Sequence, residues 1–511
     1  MRKPESGMRY DTERLLFRRQ FVLGPRFVEE RTTWQRLRVR DTLYLTVHPD
    51  LNTCQVTDGA RSITLLGYVL DPDHPQADDR DILHGMLREL DAQDGLDHVI
   101  ERTFTLGGRW ILIVDDGSAV RLLNDPMGLR QVFYTNDLVD DLWCASQPGI
   151  LAEILKLEMA EDAVNEFIHS DVYRNWNEYL WPGDRSPYRE IAHLLPNQYL
   201  DLRAGSRHRY WPDRDLGRLS LEEGAEKNSE LLRRLIESAS NRFDLAFTVT
   251  AGWDSRLLLA ASRQISHKVY YFSLLRREND PDVVVPSRLL PKLGLRHHVV
   301  EYPSRMDDEF ERIYRRNVTE AHSFWGTMAQ GLFRHYPQDR VCVKGNASEI
   351  ARVRFRAPAG EAVTAERLAM FSSFTFSREM CENAYVVRAW QQWLSELGNT
   401  HNVHILDLFY WDHWAGNFAG MAQAEWDIVQ EVFTPYNCRS LLMNMLSVDE
   451  QYRDHDEPIL YKEMVKKLWP EVLSEPVNPP RRRSVKERVR RAARQVRHWR
   501  RAVAGKAGSA A

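Results

Sequence analysis

The sequence predicts an α/β protein in two parts: an N-terminal αββα-type layered unit and a C-terminal doubly wound parallel sheet, followed by a basic tail. Three observations predict it. Short apolar or alternating runs separated by turn residues fill the first 205 positions. Strand and helix patterns alternate from residue 215 onward. The stretch Phe247-Thr-Val-Thr-Ala-Gly-Trp-Asp-Ser-Arg-Leu-Leu-Leu-Ala260 reads as a strand, a tight small-residue loop and a helix N-terminus.

In the first part, Thr42–Val47, Ser62–Tyr68, Arg109–Val114, Ala119–Leu123 and Gln131–Thr135 have strand patterning. Asp58-Gly59, Asp71-Pro-Asp-His-Pro75, Asp116-Gly117 and Asp125-Pro-Met-Gly128 punctuate them as turns. Asp81–Leu90 and Pro148–Leu157 follow helical periodicity. Many strands with two helices give the layered expectation, with a boundary at 205.

In the second part, residues 215–480, Leu221–Ser238 has the apolar spacing of a helix leading into a strand at Leu245–Thr250. Further strands are expected at Lys268–Ser273 and His297–Val300. Between them lies a helical piece, Asp282–Lys292, interrupted by Pro286 and Pro291. Ligands of such sheets sit outside the carboxyl ends of the strands, where the loop at 250 falls. A helix N-terminus there offers unpaired N–H groups to an anion such as phosphate. Thr250 and Ser255 can donate hydroxyl hydrogen bonds, Gly252 permits close approach, and Asp254 can hold magnesium.

Length, composition and charge bound the rest. A chain of 511 residues exceeds one ordinary core. An apolar fraction of 43% and a charged fraction of 28% fit a soluble globular protein. Five scattered cysteines without CxxC pairing argue against a disulfide frame or a zinc site. The N-terminus lacks the apolar core of a signal peptide, and no run of about 18 uncharged apolar residues occurs. The expected location is the cytoplasm. Residues 481–511 carry twelve Lys/Arg and one acid, a net of +11 against −15 for the remainder. Val485, Val489, Ala492, Val496, Trp499 and Val503 form one apolar stripe on this basic tail. A solvated helix, an anionic membrane surface or an acidic partner fits it, and nucleic acid is the weaker fit. A homodimer is compatible with the chain.

The loop Thr250-Ala251-Gly252-Trp253-Asp254-Ser255 resembles the pyrophosphatase loop (Ser-Gly-Gly-x-Asp-Ser) of the asparagine synthetase family, with Thr for Ser and Ala for Gly. Gly107-Gly-Arg-Trp110, then Asp125-Pro-Met-Gly-Leu-Arg-Gln-Val-Phe-Tyr134, resembles that family's glutaminase domain. Tyr188–Leu200 with Arg209-Tyr-Trp211 resembles the exit from it. The glutaminase nucleophile is a cysteine at position 2. Here Arg2 stands there and the first cysteine is Cys54, so an inactive glutaminase-like unit is implied, about twenty residues longer before its first strand.

The same resemblance implies an ATP- and Mg²⁺-dependent carbon–nitrogen ligase. A small-molecule carboxylate would be activated as an acyl-adenylate, then attacked by ammonia or an amine. It places Gly345, Ser348 and Glu349 of Val341-Cys-Val-Lys-Gly-Asn-Ala-Ser-Glu-Ile350 at a second nucleotide segment, with Asp254 and Glu349 as metal ligands and Ser273 among the nucleotide-binding positions. Leu408–Phe418 resembles the segment beside the substrate pocket, and Phe433–Arg439 the turn that closes it. Asp282 matches an acidic family position and reads as the N-cap of its helix. His297-His298 reads as two rings on opposite faces of a strand. Asn478 stands where the family has a catalytic lysine, leaving Lys462, Lys466, Arg481 or Lys486 as substitutes, with Lys486 the assigned one. A catalytically degenerate nucleotide-binding or scaffold homologue, or a tRNA-modifying pyrophosphatase-loop enzyme, is the alternative.

Overall fold

Two antiparallel sheets face each other between residues 21 and 209 in the computed structural model. It describes residues 10–90, 94–170, 173, 180–275, 277, 279–346, 348–358, 360–373 and 378–480. One sheet runs, edge to edge, Ile191–His193, Phe133–Thr135, Cys144–Ala145, Phe21–Gly24, Leu43–Val47 and Gln35–Arg40. The other runs Ser206–Arg209, Gln198–Asp201, Val120–Asn124, Gly107–Asp115, Arg61–Leu70 and Thr53–Asp58. Along Gly107–Asp115, Ile111 and Ile113 turn into the space between the sheets with Leu45, Leu66 and Leu122. Trp110, Leu112 and Val114 point the other way, under Asp79–Glu89 and Gly95–Thr103. Burial on both faces is why this strand reads as a continuous apolar run rather than an alternating one. Helix Pro148–Leu155 covers the outer face of the first sheet, where Ile150 and Leu151 join Val22 and Phe133. The layers are helix, sheet, sheet, helix.

The strands expected from patterning are present. Gln131–Thr135 is shorter, pairing only over Phe133–Thr135. Gln35–Arg40 and Thr53–Asp58 are edge strands that keep most side chains in or near water, so they lack an apolar signal.

The second part is a five-stranded parallel sheet in the order His297–Glu301, Tyr270–Leu275, Leu245–Thr248, Val341–Val343, Val432–Phe433. In chain order this is 3-2-1-4-5, so the winding reverses between Leu245–Thr248 and Val341–Val343. Helices cover both faces. Leu245, Phe247, Tyr271 and Val343 lie in the cluster with Leu232 and Leu258. Ala246, Phe272, Val300 and Cys342 lie in the cluster with Phe310 and Leu332.

Helix Leu221–Arg242 starts on a reciprocal cap, with Glu223 N–H donating to Ser220 Oγ and Ser220 N–H donating to the Glu223 carboxylate. Tyr270–Leu275 begins two residues later than patterning suggests because Arg263–Lys268 is a 3-10 turn. Pro286 and Pro291 do not interrupt their helix: Pro281–Lys292 is continuous through both.

The boundary near 205–215 marks a change of topology, not a gap in packing. One apolar cluster runs from Trp110 through Leu235 to Phe247. The Arg109 guanidinium, 1% exposed, donates to both Asp427 oxygens and to Glu431, and Arg130 donates to Glu431 at 3.1 Å. Tyr10 precedes the first sheet strand yet packs its ring at a tilt against Phe310 and Phe333 and donates to Asp307 at 2.7 Å. No helix of the described residues is long and apolar enough to cross a membrane. The basic tail lies outside the described residues, as do Arg2, Arg481 and Lys486.

Candidate active site

Strand Leu245–Thr248 and helix Trp253–Ala261 are joined by the loop that the sequence singles out. Gly252 occupies the N-cap position and supplies no side-chain cap, so the first-turn N–H groups keep capacity for an anion. Inside the loop, the Thr250 and Ser255 hydroxyls meet at 2.8 Å. Ser255 Oγ also accepts from Thr250 N–H at 3.0 Å, and Gly252 N–H donates to Thr250 Oγ1 at 3.2 Å. Ala251 is 2% exposed; its N–H donates to Asp282 Oδ1 at 3.0 Å and its carbonyl accepts from Asn478 N–H at 2.9 Å.

The neighbouring strand, Val341–Val343, runs across the switch point into Lys344, Gly345 and a 3-10 turn at Ser348–Ala351. Thr248 Oγ1 donates to the Val343 carbonyl at 2.9 Å and ties the strand ends together. Ser348 Oγ donates to Asp254 Oδ1 in a short contact, and Arg352 Nη2 donates to Asp254 Oδ2 at 3.2 Å. The same Arg352 nitrogen lies 3.4 Å from Glu349 Oε1. One guanidinium therefore gathers both predicted metal-binding carboxylates. Burial, then the charge of Asp254, pushes Glu349 up to about 7. Tyr436 donates to the Asp254 carbonyl at 3.1 Å and Tyr461 to the Ser348 carbonyl at 2.8 Å, so both loops are braced from below.

These residues open on a cavity of about 580 Å³ that also takes in Lys344, Trp426, Trp414 and Asn478. A second cavity of about 380 Å³ adjoins it, sharing Thr248, Thr250, Phe324 and Met328, and is lined in addition by Ser273 and Asp282. Together they fall in the size range of small-molecule sites. Two carboxylates suit a magnesium ion that takes its remaining ligands from water and phosphate oxygens. Among the described residues no group of three or more His, Cys, Asp and Glu could hold a metal without such help.

The structure brings Thr250, Ala251, Gly252, Asp254, Ser255, Gly345, Ser348 and Glu349 together. Ser273 is set apart by its bonding: its hydroxyl donates to the Val249 carbonyl at 2.6 Å and meets His297 Nε2 at 2.9 Å. Asp282 is not the N-cap of its helix. Asp280 takes that role by accepting the Asp282 N–H, which frees the Asp282 carboxylate for the Ala251 N–H. His297 faces Ser273 and Ser287, whereas His298 stacks on Tyr270 at 4.0 Å. Leu408–Phe418 divides between the core and the cavity. Phe409 and Trp411 are buried in the core, while Tyr410, Trp414 and Phe418 line the large cavity, four residues apart on the π-helical turn Tyr410–Ala419.

Asn478 reaches the cavity. Lys462 and Lys466 are exposed outside it, Lys466 being paired with Glu463. Sequence reading missed three cations that line the cavity, Arg352, Arg354 and Lys344. For Lys344, a single basic residue ending the apolar run Val341-Cys-Val343 was the available signal.

No family model matches the chain, and no curated protein matches it. Among solved structures the chain is similar to glutamine phosphoribosylpyrophosphate amidotransferase from B. subtilis complexed with ADP and GMP. The identity is 12%, covering 60% of this chain and 75% of that one, with a TM-score of 0.25. It is also similar to a structure described as the allosteric regulatory enzyme of purine biosynthesis, at 11% identity over 60% of this chain and 76% of that one, with a TM-score of 0.24. Likeness this loose carries nothing about chemistry, which rests on the residues themselves.

Proposed function

We propose that the protein is an ATP-dependent ligase that activates a carboxylate as an acyl-adenylate and passes the acyl group to ammonia or an amine. One juxtaposition supports this most. The uncapped helix N-terminus at Gly252 and the Asp254–Arg352–Glu349 cluster meet at the switch point of the parallel sheet, beside a cavity.

In the first step a substrate carboxylate oxygen bonds to the α-phosphorus, and the bond to the bridging oxygen breaks with loss of pyrophosphate. In the second, the amine lone pair adds to the acyl carbon, nitrogen gives up a proton, and the acyl–oxygen bond breaks with AMP. The first-turn N–H groups that follow Gly252 would donate to phosphate oxygens, the Gly252 N–H itself being held by Thr250 Oγ1. The Thr250 and Ser255 hydroxyls, bonded to each other here, are placed to turn toward the same oxygens. Asp254 and Glu349 would hold magnesium, which when bound would neutralise charge on the leaving pyrophosphate. The smaller cavity beside Ser273 and Asp282 suits the nucleoside, leaving the larger one for the acyl substrate. Holding both reactants at one crevice removes much of the entropic barrier.

Nitrogen from glutamine is not expected. Burial raises every cysteine thiol of the chain above its ordinary value, Cys342 to about 11 and Cys438 to about 12, so no thiolate stands ready as a nucleophile. The test is pyrophosphate release from ATP with magnesium across a panel of carboxylates, supplied with ammonia or amines. Release that depends on the carboxylate and disappears in Asp254→Ala is expected. ATP binding with no release for any member would overturn the ligase assignment in favour of a nucleotide-binding protein without this chemistry.

A further inference from the structure

Three basic side chains line the large cavity among the described residues, and they differ in how they are held. Arg352 is engaged by Asp254, Glu349 and the His455 carbonyl. Arg354 meets the His455 ring nitrogen. Lys344 is 5% exposed; among the described residues no ion pair or hydrogen bond engages its ammonium, which feels Asp427 and Arg109 only through longer-range charge. Its ammonium stands 3.2 Å from the centre of the Trp426 ring, over the face. A ring face compensates a buried ammonium only in part, so most of the cost of removing it from water persists. An anion entering the cavity would relieve that cost.

The walls around it are aromatic. Trp325 and Phe418 lie 5.3 Å apart and Trp414 and Phe418 5.8 Å apart, each as a ring pair turned well away from parallel, with Tyr410 and Trp426 completing the lining. Such surfaces favour a flat apolar body over a short polar one. Lys344 lines the same cavity as Asp254, Glu349 and Arg352, so an anion on its ammonium shares that cavity with the loop cluster.

We propose that the cavity takes an aromatic carboxylic acid, with its ring between the aromatic walls and its carboxylate on Lys344. The ammonium then serves as the group that orients the carboxylate toward the nucleotide. Burial pulls Lys344 down to about 8, a cost to its charged form that an anion on the ammonium would offset. The inference rests on the ligase reading for the fate of the carboxylate, while binding stands apart from it.

Three probes test it on the full-length protein: cinnamate, its neutral amide and aspartate, followed by tryptophan fluorescence and calorimetry. Cinnamate should bind at least about tenfold more tightly than either of the others. Lys344→Met should erase the preference of acid over amide, and Lys344→Arg should retain part of it; circular dichroism establishes that each variant is folded. Equal binding of acid and amide, preference for aspartate, or an unchanged preference in Lys344→Met overturns the proposal. ATP–pyrophosphate exchange separates the two ideas. Lys344-dependent cinnamate binding without exchange for any carboxylate sinks the ligase reading alone. Exchange driven by aspartate but not by aromatic acids sinks the present inference alone.

Discussion

Gly345 passes so close to Asp254 that a Cβ on it would lie 2.9 Å from the Asp254 Cβ and 3.1 Å from the Asp254 carbonyl carbon. The two loops of the switch point touch there through backbone, and any side chain at 345 has to part them. Gly345→Ala is therefore expected to cost about 1–3 kcal/mol of stability. It should also weaken magnesium-dependent ATP binding at least tenfold, since Asp254 moves away from Ser348 and Arg352. A thermal melt and an ATP titration check this, and wild-type values in both would contradict it.

Asp254 is paired with Arg352, whereas Ser348 only hydrogen-bonds it. Asp254→Asn keeps an acceptor for Ser348 but loses the charge. Pyrophosphate release should fall by about a hundredfold or more, and ATP affinity should lose its dependence on magnesium, with little change in melting temperature. Retained magnesium dependence would place the ion elsewhere.

Lys344 links function to stability with a definite sign. An unfolded lysine keeps its proton to its usual high value, whereas the folded one gives it up at about 8. Between those two values the unfolded chain binds more protons, so the stability contributed by this group rises with pH. Below about 8 the full cost of the buried ammonium is present. Lys344→Met should thus stabilise the protein near neutral pH, by up to about 3 kcal/mol, and flatten the rise at alkaline pH. Melts at neutral and alkaline pH decide it, and a variant less stable at neutral pH would show that the ammonium is satisfied.

Arg109 joins the antiparallel part to Asp427 and Glu431 of the parallel part. Arg109→Ala leaves the buried Asp427 carboxylate without its main partner and takes from Glu431 the second of its guanidiniums after Arg130, and is expected to cost about 3–5 kcal/mol. Denaturant melts measure the loss. A change below about 1 kcal/mol would mean that Arg130 and Arg19 suffice for both acids.

The site was legible where its chemistry is contiguous. Thr250 to Ser255 spell out a hydroxyl, small residues, an acid and a helix start within six positions, and Gly345 to Glu349 do nearly the same. It was not legible where it is assembled at a distance. Trp325, Trp414 and Trp426 come from three segments, and only the folded chain shows that they share one cavity with Lys344. Asp280 and Asp282 are equal candidates for a helix cap in a sequence, and the Ala251 N–H decided between them. The edge strands Gln35–Arg40 and Thr53–Asp58 escape pattern reading because edges face water and carry little apolar period.

Tyr10 and Leu15 are packed among residues 246–429, and Arg19 donates to the Asp427 carbonyl. A chain emerging from the ribosome makes these first residues early and their partners late. At ordinary elongation rates the interval is on the order of half a minute. Arg18 meets Asp50 early, but Tyr10 must wait through most of this stretch of synthesis for its own neighbours, and a nascent chain halted before residue 310 would hold Tyr10 with its aromatic partners still unmade.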